Sequence, residues 1–242
     1  MKKHIVCLGD SNTHGYCADP NDCADHGNRF NENERWTCLL QKQLGEEYHV
    51  LEEGPSGRTT VFSDPLHESM PALDVAYPIL MSHEPVDLLI IMLGTNDTKD
   101  RLGMNAACIG LGMDRLVRKC MSVDCWGSHG PNVLIVAPPP IGDELNDPCM
   151  GEHCAEKSRG LAKYYQEKAN LLGCHFMDAN GCEFNSIDYM HLTRKGHAQL
   201  AARVAALAEP HGGGRRHEPV QLLCVYERAA AQPVRCPQHE TR

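Results

Sequence analysis

The chain has 242 residues, of which 42% are hydrophobic and 23% charged, a composition typical of a globular protein with a sizeable core. Its formal net charge of −9 argues against binding to nucleic acid or to an anionic membrane surface, because both kinds of binding depend on clustered lysine and arginine. No apolar run approaches the roughly 20 residues of a membrane span. The apolar run at 5–8 is also shorter than the roughly 7 residues of a secretory h-region, so we expect a cytoplasmic protein.

The thirteen cysteines are scattered along the chain, and several fall inside apolar patterns. Cys7, Cys38 and Cys120 occupy such positions, where a reduced cysteine acts as a small hydrophobic side chain. Without a secretory signal, reduced thiols are favoured over a disulfide framework.

Short apolar runs predict five strands in the first 180 residues. They lie at 5–8, 50–53, 88–93, 133–137 and 174–177. Between and after them, apolar residues at three- and four-residue steps predict four helices. Their apolar positions are Trp36, Leu39, Leu40 and Leu44; Ile109, Met113, Leu116, Val117 and Cys120; Leu161, Tyr164, Tyr165 and Leu172; and Leu200, Ala201, Val204 and Leu207. Strands alternating with helices predict a mostly parallel sheet between helical layers.

The composition changes after residue 208. The stretch "EPHGGGRRHEPV", beginning at Glu209, has three consecutive glycines, two prolines and no periodicity. We therefore place one packed domain at 1–208 and a mobile tail at 209–242. The alternative is that residues 220–226 add an edge strand or contact a partner chain.

Polar clusters follow three of the predicted strands, and a fourth precedes the last helix. They read GDSN at 9–12, GPSGRTT at 54–60, GTND at 94–97 and DYMH at 188–191, with Thr193 as the expected helix cap. Each cluster alone is also a reasonable turn or cap. In a parallel sheet, however, the first three would line one rim, where ligands of such sheets bind.

Together these clusters contain the groups that acyl transfer requires. Ser11 is a poor nucleophile unless a base removes its proton, and His191 is a suitable base. Asp188, three residues earlier, could hold the other ring nitrogen and fix the tautomer. The backbone N–H groups of Ser11 and Gly57 and the side-chain amide of Asn96 could stabilise a developing oxyanion.

The four clusters, in this order, resemble the blocks of the SGNH (GDSL) hydrolase superfamily. Flanking segments resemble its arylesterase-like branch: RWTCLLQKQLG at 35–45, LEEGPSGRTT at 51–60, DLLIIMLGTNDTK at 87–99 and VLIVAPPPI at 133–141. The resemblance covers essentially all of residues 1–208. None of these clusters matches G-x-S-x-G, the motif at which the separate α/β-hydrolase fold presents its serine nucleophile.

The resemblance implies an α/β protein with a three-layer α/β/α flavodoxin-like sandwich, acting as a cofactor-free serine esterase. By matched position, Ser11 is the nucleophile, His191 the base and Asp188 its orienting acid. Ser11, Gly57 and Asn96 would form the oxyanion hole. The related branch also suggests a homo-oligomer whose subunits help to wall the pocket.

Two groups of possible metal ligands do not fit a zinc pattern. The irregular segment 16–33 contains Cys17, Cys23 and His26, and we expect it to form a loop at the mouth of the pocket. The second group is Cys149, His153 and Cys154. The spacing of neither group matches a known zinc site, so no metal is expected.

The sequence therefore predicts a serine esterase that acts on a small-molecule ester, with short acyl or aryl esters as the substrate class. Two alternatives stay open. An acyltransferase would hand the same acyl group to an alcohol or a peroxide, and a binding module would use the fold without turnover.

Overall fold

Five parallel strands form one sheet in the computed structural model, which describes residues 1–208. The tail predicted at 209–242 lies outside the described residues. The strands are β1 (Lys3–Gly9), β2 (Tyr48–Glu53), β3 (Val86–Met92), β4 (Val133–Ala137) and β5 (His175–Asp178). Their order across the sheet is β2-β1-β3-β4-β5. All five predicted strands are confirmed, with ends shifted by at most two residues.

The register of the three neighbouring strands determines where their polar clusters emerge. Leu8 of β1 lies beside Glu53 of β2, and Gly9 lies beside Met92 of β3. All three strands run in the same direction, so the segments that follow them leave the sheet at the same edge. This edge carries the GDSN, GPSGRTT and GTND clusters.

Helices cover both faces of the sheet. Within residues 1–208 the α-helices are α1 (Ser11–His14), α2 (Trp36–Leu44), α3 (Ala72–Ser82), α4 (Ala106–Met121), α5 (Cys154–Arg159), α6 (Leu161–Leu172) and α7 (Arg194–Ala208). Helices α2 and α7 pack together on one face, and α3, α4 and α6 pack on the other. None of these helices is both long enough and apolar enough to cross a membrane.

Alternate residues of β1 contribute to two separate cores. Ile5 and Cys7 pack with α2 and α7, whereas Val6 and Leu8 pack with α3, α4 and α6. All four side chains are at most 1% exposed. This two-sided burial explains the continuous apolar pattern of β1 and confirms the predicted three-layer α/β/α sandwich.

The four helices predicted from periodicity are confirmed, and Thr193 accepts a hydrogen bond from the Gly196 N–H as the cap of α7. Helix α3 was not predicted. It contains Pro78, which usually ends a helix, and two of its three buried residues are alanines. Its apolar pattern is therefore too weak to recognise in the sequence.

Candidate active site

Ser11 is the first residue of α1, and one residue, Asp10, separates it from the end of β1 at Gly9. The turn between them is tight, since a Cβ on Gly9 would collide with the Thr13 side chain. Asp10 caps the turn by accepting a hydrogen bond from the Asn12 N–H at 3.1 Å. The strand therefore stops in a constrained corner that presents the Ser11 hydroxyl at the sheet edge.

The structure brings Ser11, His191 and Asp188 into one hydrogen-bonded series. The Nε2 atom of His191 lies 2.7 Å from Ser11 Oγ, and its Nδ1 atom lies 2.6 Å from Asp188 Oδ2. Ser11 is 7% exposed and His191 9% exposed, so the series is mostly shielded from water. This arrangement can draw a proton from a serine hydroxyl onto an imidazole.

Asp188 is held ionised by its neighbours. Burial raises the pKa of its carboxyl, but hydrogen bonds and charge from His191 and a hydrogen bond from Asn185 outweigh burial and lower the pKa to about 2. Asn185 donates from Nδ2 to Asp188 Oδ1 at 2.9 Å and to the His191 carbonyl at 2.8 Å. Asn185 is not among the predicted site residues, because a single asparagine in a polar segment carries no distinguishing signal.

The three residues predicted to supply oxyanion donors, Ser11, Gly57 and Asn96, line the same cavity. The N–H of Ser11 begins a helix and so has no acceptor within it. Gly57 has a left-handed backbone with φ of +87°, and both Gly57 and Asn96 line the cavity next to Ser11. Asn96 Nδ2 donates to the Arg58 carbonyl at 3.1 Å and lies a long 3.5 Å from Asp10 Oδ2.

Two buried carboxyl groups lie beneath the site. Burial raises the pKa of Asp10 to about 6, against the lowering effect of the Asn12 N–H hydrogen bond. Burial also raises the pKa of Asp97 to about 6, although Thr60 donates to it from both N and Oγ1. Each of these carboxyl groups fixes a loop of the site. Asp10 fixes the turn that carries Ser11, and Asp97 connects the GTND cluster to the GPSGRTT cluster.

A cavity of about 260 Å³ opens onto Ser11. It is lined by Ser11, Tyr16, Ser56, Gly57, His67, Thr95, Asn96, Lys99, Asp147, Cys149, Met150, Met190 and His191. The Tyr16 ring packs against the His191 imidazole with centroids 4.6 Å apart, so the segment that begins at Tyr16 does contribute to the pocket wall. Of the other lining residues, His67 and Met150 belong to no motif of the chain, and Lys99 ends the segment at 87–99 without a role that the sequence indicates.

One wall of this cavity contains a buried ion cluster. Asp64 accepts from Lys99 Nζ at 2.9 Å and from Arg101 Nη2 at 2.7 Å, and the side chains of Asp64 and Lys99 are each 3% exposed. Although burial acts in the opposite direction, these hydrogen bonds hold the pKa of Asp64 well below its usual range. The cluster anchors the GTND segment to the loop that precedes α3.

The two groups of possible metal ligands are not assembled as ligand sets. Cys17 and Cys23 pack with Phe30 in a small buried cluster, while His26 is exposed. In the second group, Cys149 lines the cavity and His153 bonds Asp100 through Nδ1 at 3.0 Å. Within residues 1–208, no three His, Cys, Asp or Glu side chains are grouped so that they could hold a metal ion.

The fold and the hydrogen-bonded series define a hydrolase-type site at the carboxyl edge of a flavodoxin-like parallel sheet. The model of the GDSL-like lipase/acylhydrolase family matches residues 7–199. The chain therefore belongs to that family and is a carboxylic ester hydrolase.

Solved structures give the same result. The aryl esterase of M. smegmatis is 33% identical, with a TM-score of 0.75 and coverage of 84% of this chain and 97% of that one. A carbohydrate acetylesterase from Sinorhizobium meliloti is also 33% identical, with a TM-score of 0.74 and coverage of 85% and 97%. At 15% identity, a G-D-S-L family protein from Veillonella parvula shares the fold, with a TM-score of 0.60 and coverage of 85% and 97%. No curated protein matches the chain.

Proposed function

We propose that the enzyme is a serine esterase that hydrolyses short-chain acyl or aryl esters through an acyl-Ser11 intermediate. The observation that carries the proposal is the series from Asp188 through His191 to Ser11, which ends at the wall of the cavity. In this proposal Ser11 is the nucleophile, His191 the general base and Asp188 the residue that orients it.

In the first half-reaction, Ser11 Oγ attacks the ester carbonyl carbon while His191 Nε2 accepts the hydroxyl proton. The carbonyl oxygen becomes an oxyanion, which receives hydrogen bonds from the N–H groups of Ser11 and Gly57 and from Asn96 Nδ2. One amide hydrogen of Asn96 is bonded to the Arg58 carbonyl, and the other would exchange its long 3.5 Å contact with Asp10 for a bond to the oxyanion. The carbon–oxygen bond to the leaving group then breaks, and the imidazolium of His191 gives it the proton.

In the second half-reaction, water attacks the acyl-enzyme as His191 accepts one of its protons. The bond between the acyl carbon and Ser11 Oγ breaks, the proton returns to Oγ, and the carboxylic acid leaves. Asp188 keeps its negative charge throughout and stabilises the imidazolium in both steps. The low pKa of Asp188, about 2, supports this role because the carboxylate stays ionised at any working pH.

The size of the cavity supports a small substrate. Sites for drug-sized ligands run from roughly 300 to 1,000 Å³, whereas this cavity holds about 260 Å³. An acetyl or similarly short acyl group fits such a space, with the alcohol or phenol at its open side. Two of the similar solved structures are an aryl esterase and a carbohydrate acetylesterase, and these names indicate aryl and acetyl esters as their substrates.

The test is hydrolysis of a chain-length series of p-nitrophenyl esters by the wild type, by Ser11→Ala and by Ser56→Ala. Ser56 is a matched control, because it is a second serine in the lining of the same cavity. We expect activity to be highest on acetate, to vanish in Ser11→Ala and to persist in Ser56→Ala. Hydrolysis that survives Ser11→Ala, or a fluorophosphonate that fails to label Ser11, would refute the proposal.

Acyl transfer is a second candidate, favoured by the apolar groups beside the base. Tyr16 contacts the His191 ring, and Met190 precedes His191 and lines the cavity. An alcohol has an apolar part that these side chains can bind, whereas water has none, so an alcohol could compete as the acyl acceptor. Product analysis with added alcohol distinguishes the two reactions, since a transferase yields a new ester and a strict hydrolase yields only acid.

A further inference from the structure

The side chain of Asn12 connects the turn that carries Ser11 to the segment that carries His191. Its Oδ1 atom accepts a hydrogen bond from the Leu192 N–H at 2.9 Å, and its Nδ2 atom donates to the Met190 carbonyl at 3.4 Å. These two residues stand immediately before and after His191. Asn12 is 1% exposed and is not among the residues that line the cavity.

We propose that Asn12 is a positioning residue that sets the distance between the nucleophile and the base. This inference rests on the proposed function, because it assigns Asn12 a role in activating Ser11 through His191. An asparagine amide suits the task since it offers an acceptor and a donor at once on a short side chain. The family is named for the motif G-D-S-L, in which leucine stands at the position of Asn12, and a leucine side chain has neither an acceptor nor a donor.

Longer-range hydrogen bonds also hold the segment at Tyr189, from the Gly142 N–H, and at Arg194, to Asp22, but they reach parts of the chain other than the turn that carries Ser11. The hydrogen bonds of His191 itself, apart from its contact with Ser11, are local. Asp188 accepts from the His191 N–H and Nδ1, and Asn185 bonds the carbonyl of the same histidine. These contacts shape the segment but join residues no more than six apart, so they do not determine where it lies relative to Ser11. The two bonds of Asn12 join residues 178 and 180 positions apart and therefore do.

Asn12 is itself firmly held, which makes it an effective anchor. Its own N–H donates to the Asp10 carboxylate, and the Thr13 and His14 N–H groups donate to the Asp10 carbonyl at 3.0 and 2.8 Å. The side chain thus projects from the same constrained turn that presents Ser11. Any movement of the His191 segment away from this turn has to break at least one Asn12 hydrogen bond.

Removing the Asn12 amide should lower kcat by about 10- to 100-fold, because a displacement of about 1 Å in a catalytic group costs that much. KM should stay near the wild-type value, since Asn12 does not line the cavity. A purely structural role predicts a different pattern, in which stability falls while the kcat of the folded enzyme is unchanged.

The experiment compares Asn12→Leu and Asn12→Ser with Gln41→Leu. Gln41 is a matched control, a side-chain amide that accepts from the Val50 N–H at 2.9 Å and donates to the Tyr48 carbonyl at 3.2 Å, away from the cavity. Asn12→Ser is included because leucine could fail to fit the buried site. For each variant we would measure kcat and KM on p-nitrophenyl acetate, the rate of Ser11 labelling by a fluorophosphonate, and unfolding in urea.

The expected result is a 10- to 100-fold loss of kcat and of labelling rate in both Asn12 variants, with wild-type values in Gln41→Leu. Asn12 variants that are folded and label at the wild-type rate would overturn the inference. So would equal losses in Gln41→Leu. A wild type without Ser11-dependent hydrolysis would instead refute the proposed function, and the labelling rates would still decide the role of Asn12.

Discussion

Ser11 Oγ and His191 Nε2 lie 2.7 Å apart although 180 positions separate them in the chain. Strand β1, between β2 and β3, delivers Ser11 to the carboxyl edge of the sheet. His191 lies just before α7, which packs against α2 over the same sheet. The first strand and the last described helix therefore have to be in place before the two side chains can meet.

Replacing Asp188 by asparagine tests the orientation of the base. The neutral amide would lack the charge that stabilises the imidazolium and could hold His191 in the wrong tautomer, so we expect kcat to fall by about 10⁴-fold with little change in KM. The control is Asp143→Asn, because Asp143 is an exposed carboxylate paired with Arg159 at the surface. Steady-state kinetics on p-nitrophenyl acetate provide the measurement. A variant within a few-fold of the wild-type kcat would exclude the proposed role of Asp188.

Gly57 and Gly181 offer a matched pair for testing the oxyanion donors. Both have left-handed backbones, with φ of +87° and +86°, so alanine at either position should cost about 1 to 2 kcal/mol of unfolding free energy. Only at position 57 would the new Cβ meet a neighbour, the His67 ring at 2.6 Å, whereas nothing lies within 4 Å at position 181.

We expect Gly57→Ala to lose about 10²-fold in kcat, because a displaced N–H no longer points at the oxyanion. Gly181→Ala, which has the same backbone cost without the contact to His67, should keep the wild-type kcat. Urea unfolding and initial rates of ester hydrolysis measure the two effects separately. Equal kcat values in the two variants would contradict the assignment of Gly57.

The sequence allowed much of this site to be predicted because each cluster directly follows a short apolar run. Ser11, Gly57 and Asn96 are close together since parallel neighbouring strands bring their ends to one edge, which is a consequence of topology alone. Asn185 and Lys99 could not be found in this way. Their positions depend on loop conformations and on ion pairs such as that between Lys99 and Asp64, which no periodicity encodes.

The buried carboxyl of Asp97 should make the protein less stable as the pH rises. Its pKa is about 6 in the folded chain, compared with an ordinary value of 3.8, so the folded state binds the proton more tightly than the unfolded state. The contribution of Asp97 to the unfolding free energy is therefore largest below pH 3.8, and it is lost as the pH rises through 6. The cost of ionising Asp97 at neutral pH is about 3 kcal/mol.

In Asp97→Asn the side chain no longer titrates, and its Oδ1 atom can still accept a hydrogen bond from Thr60. We expect the difference in unfolding free energy between variant and wild type to shift in favour of the variant by up to about 3 kcal/mol between pH 4 and 7. Urea unfolding across this range measures the difference, and Asp124→Asn, at an exposed position, is the control. A difference that does not vary with pH would be inconsistent with a buried titrating carboxyl.

His197 should have the opposite effect, with stability lost as the pH falls. The imidazole is fully buried on α7, where it accepts a hydrogen bond from the Trp36 N–H at the start of α2 at 3.3 Å and packs edge-on against Phe30. Burial, followed by the charges of His191 and Arg35, lowers its pKa to about 3. The unfolded chain binds a proton near pH 6.5 that the folded chain does not, so this group costs nothing above that pH and progressively more between pH 6.5 and 3.

His197→Gln keeps an acceptor for the Trp36 N–H and removes the titrating ring. The wild type should therefore lose unfolding free energy relative to this variant by about 1.4 kcal/mol for each pH unit below 6. The exposed His129, replaced by glutamine, controls for loss of a histidine as such. Asp97 and Asp10 act in the opposite direction over the same range, so the effect of His197 is read from the difference curve and not from the total stability of the wild type. Parallel curves for the wild type and His197→Gln would mean that the ring takes up a proton in the folded chain as readily as in the unfolded chain, and would contradict this prediction.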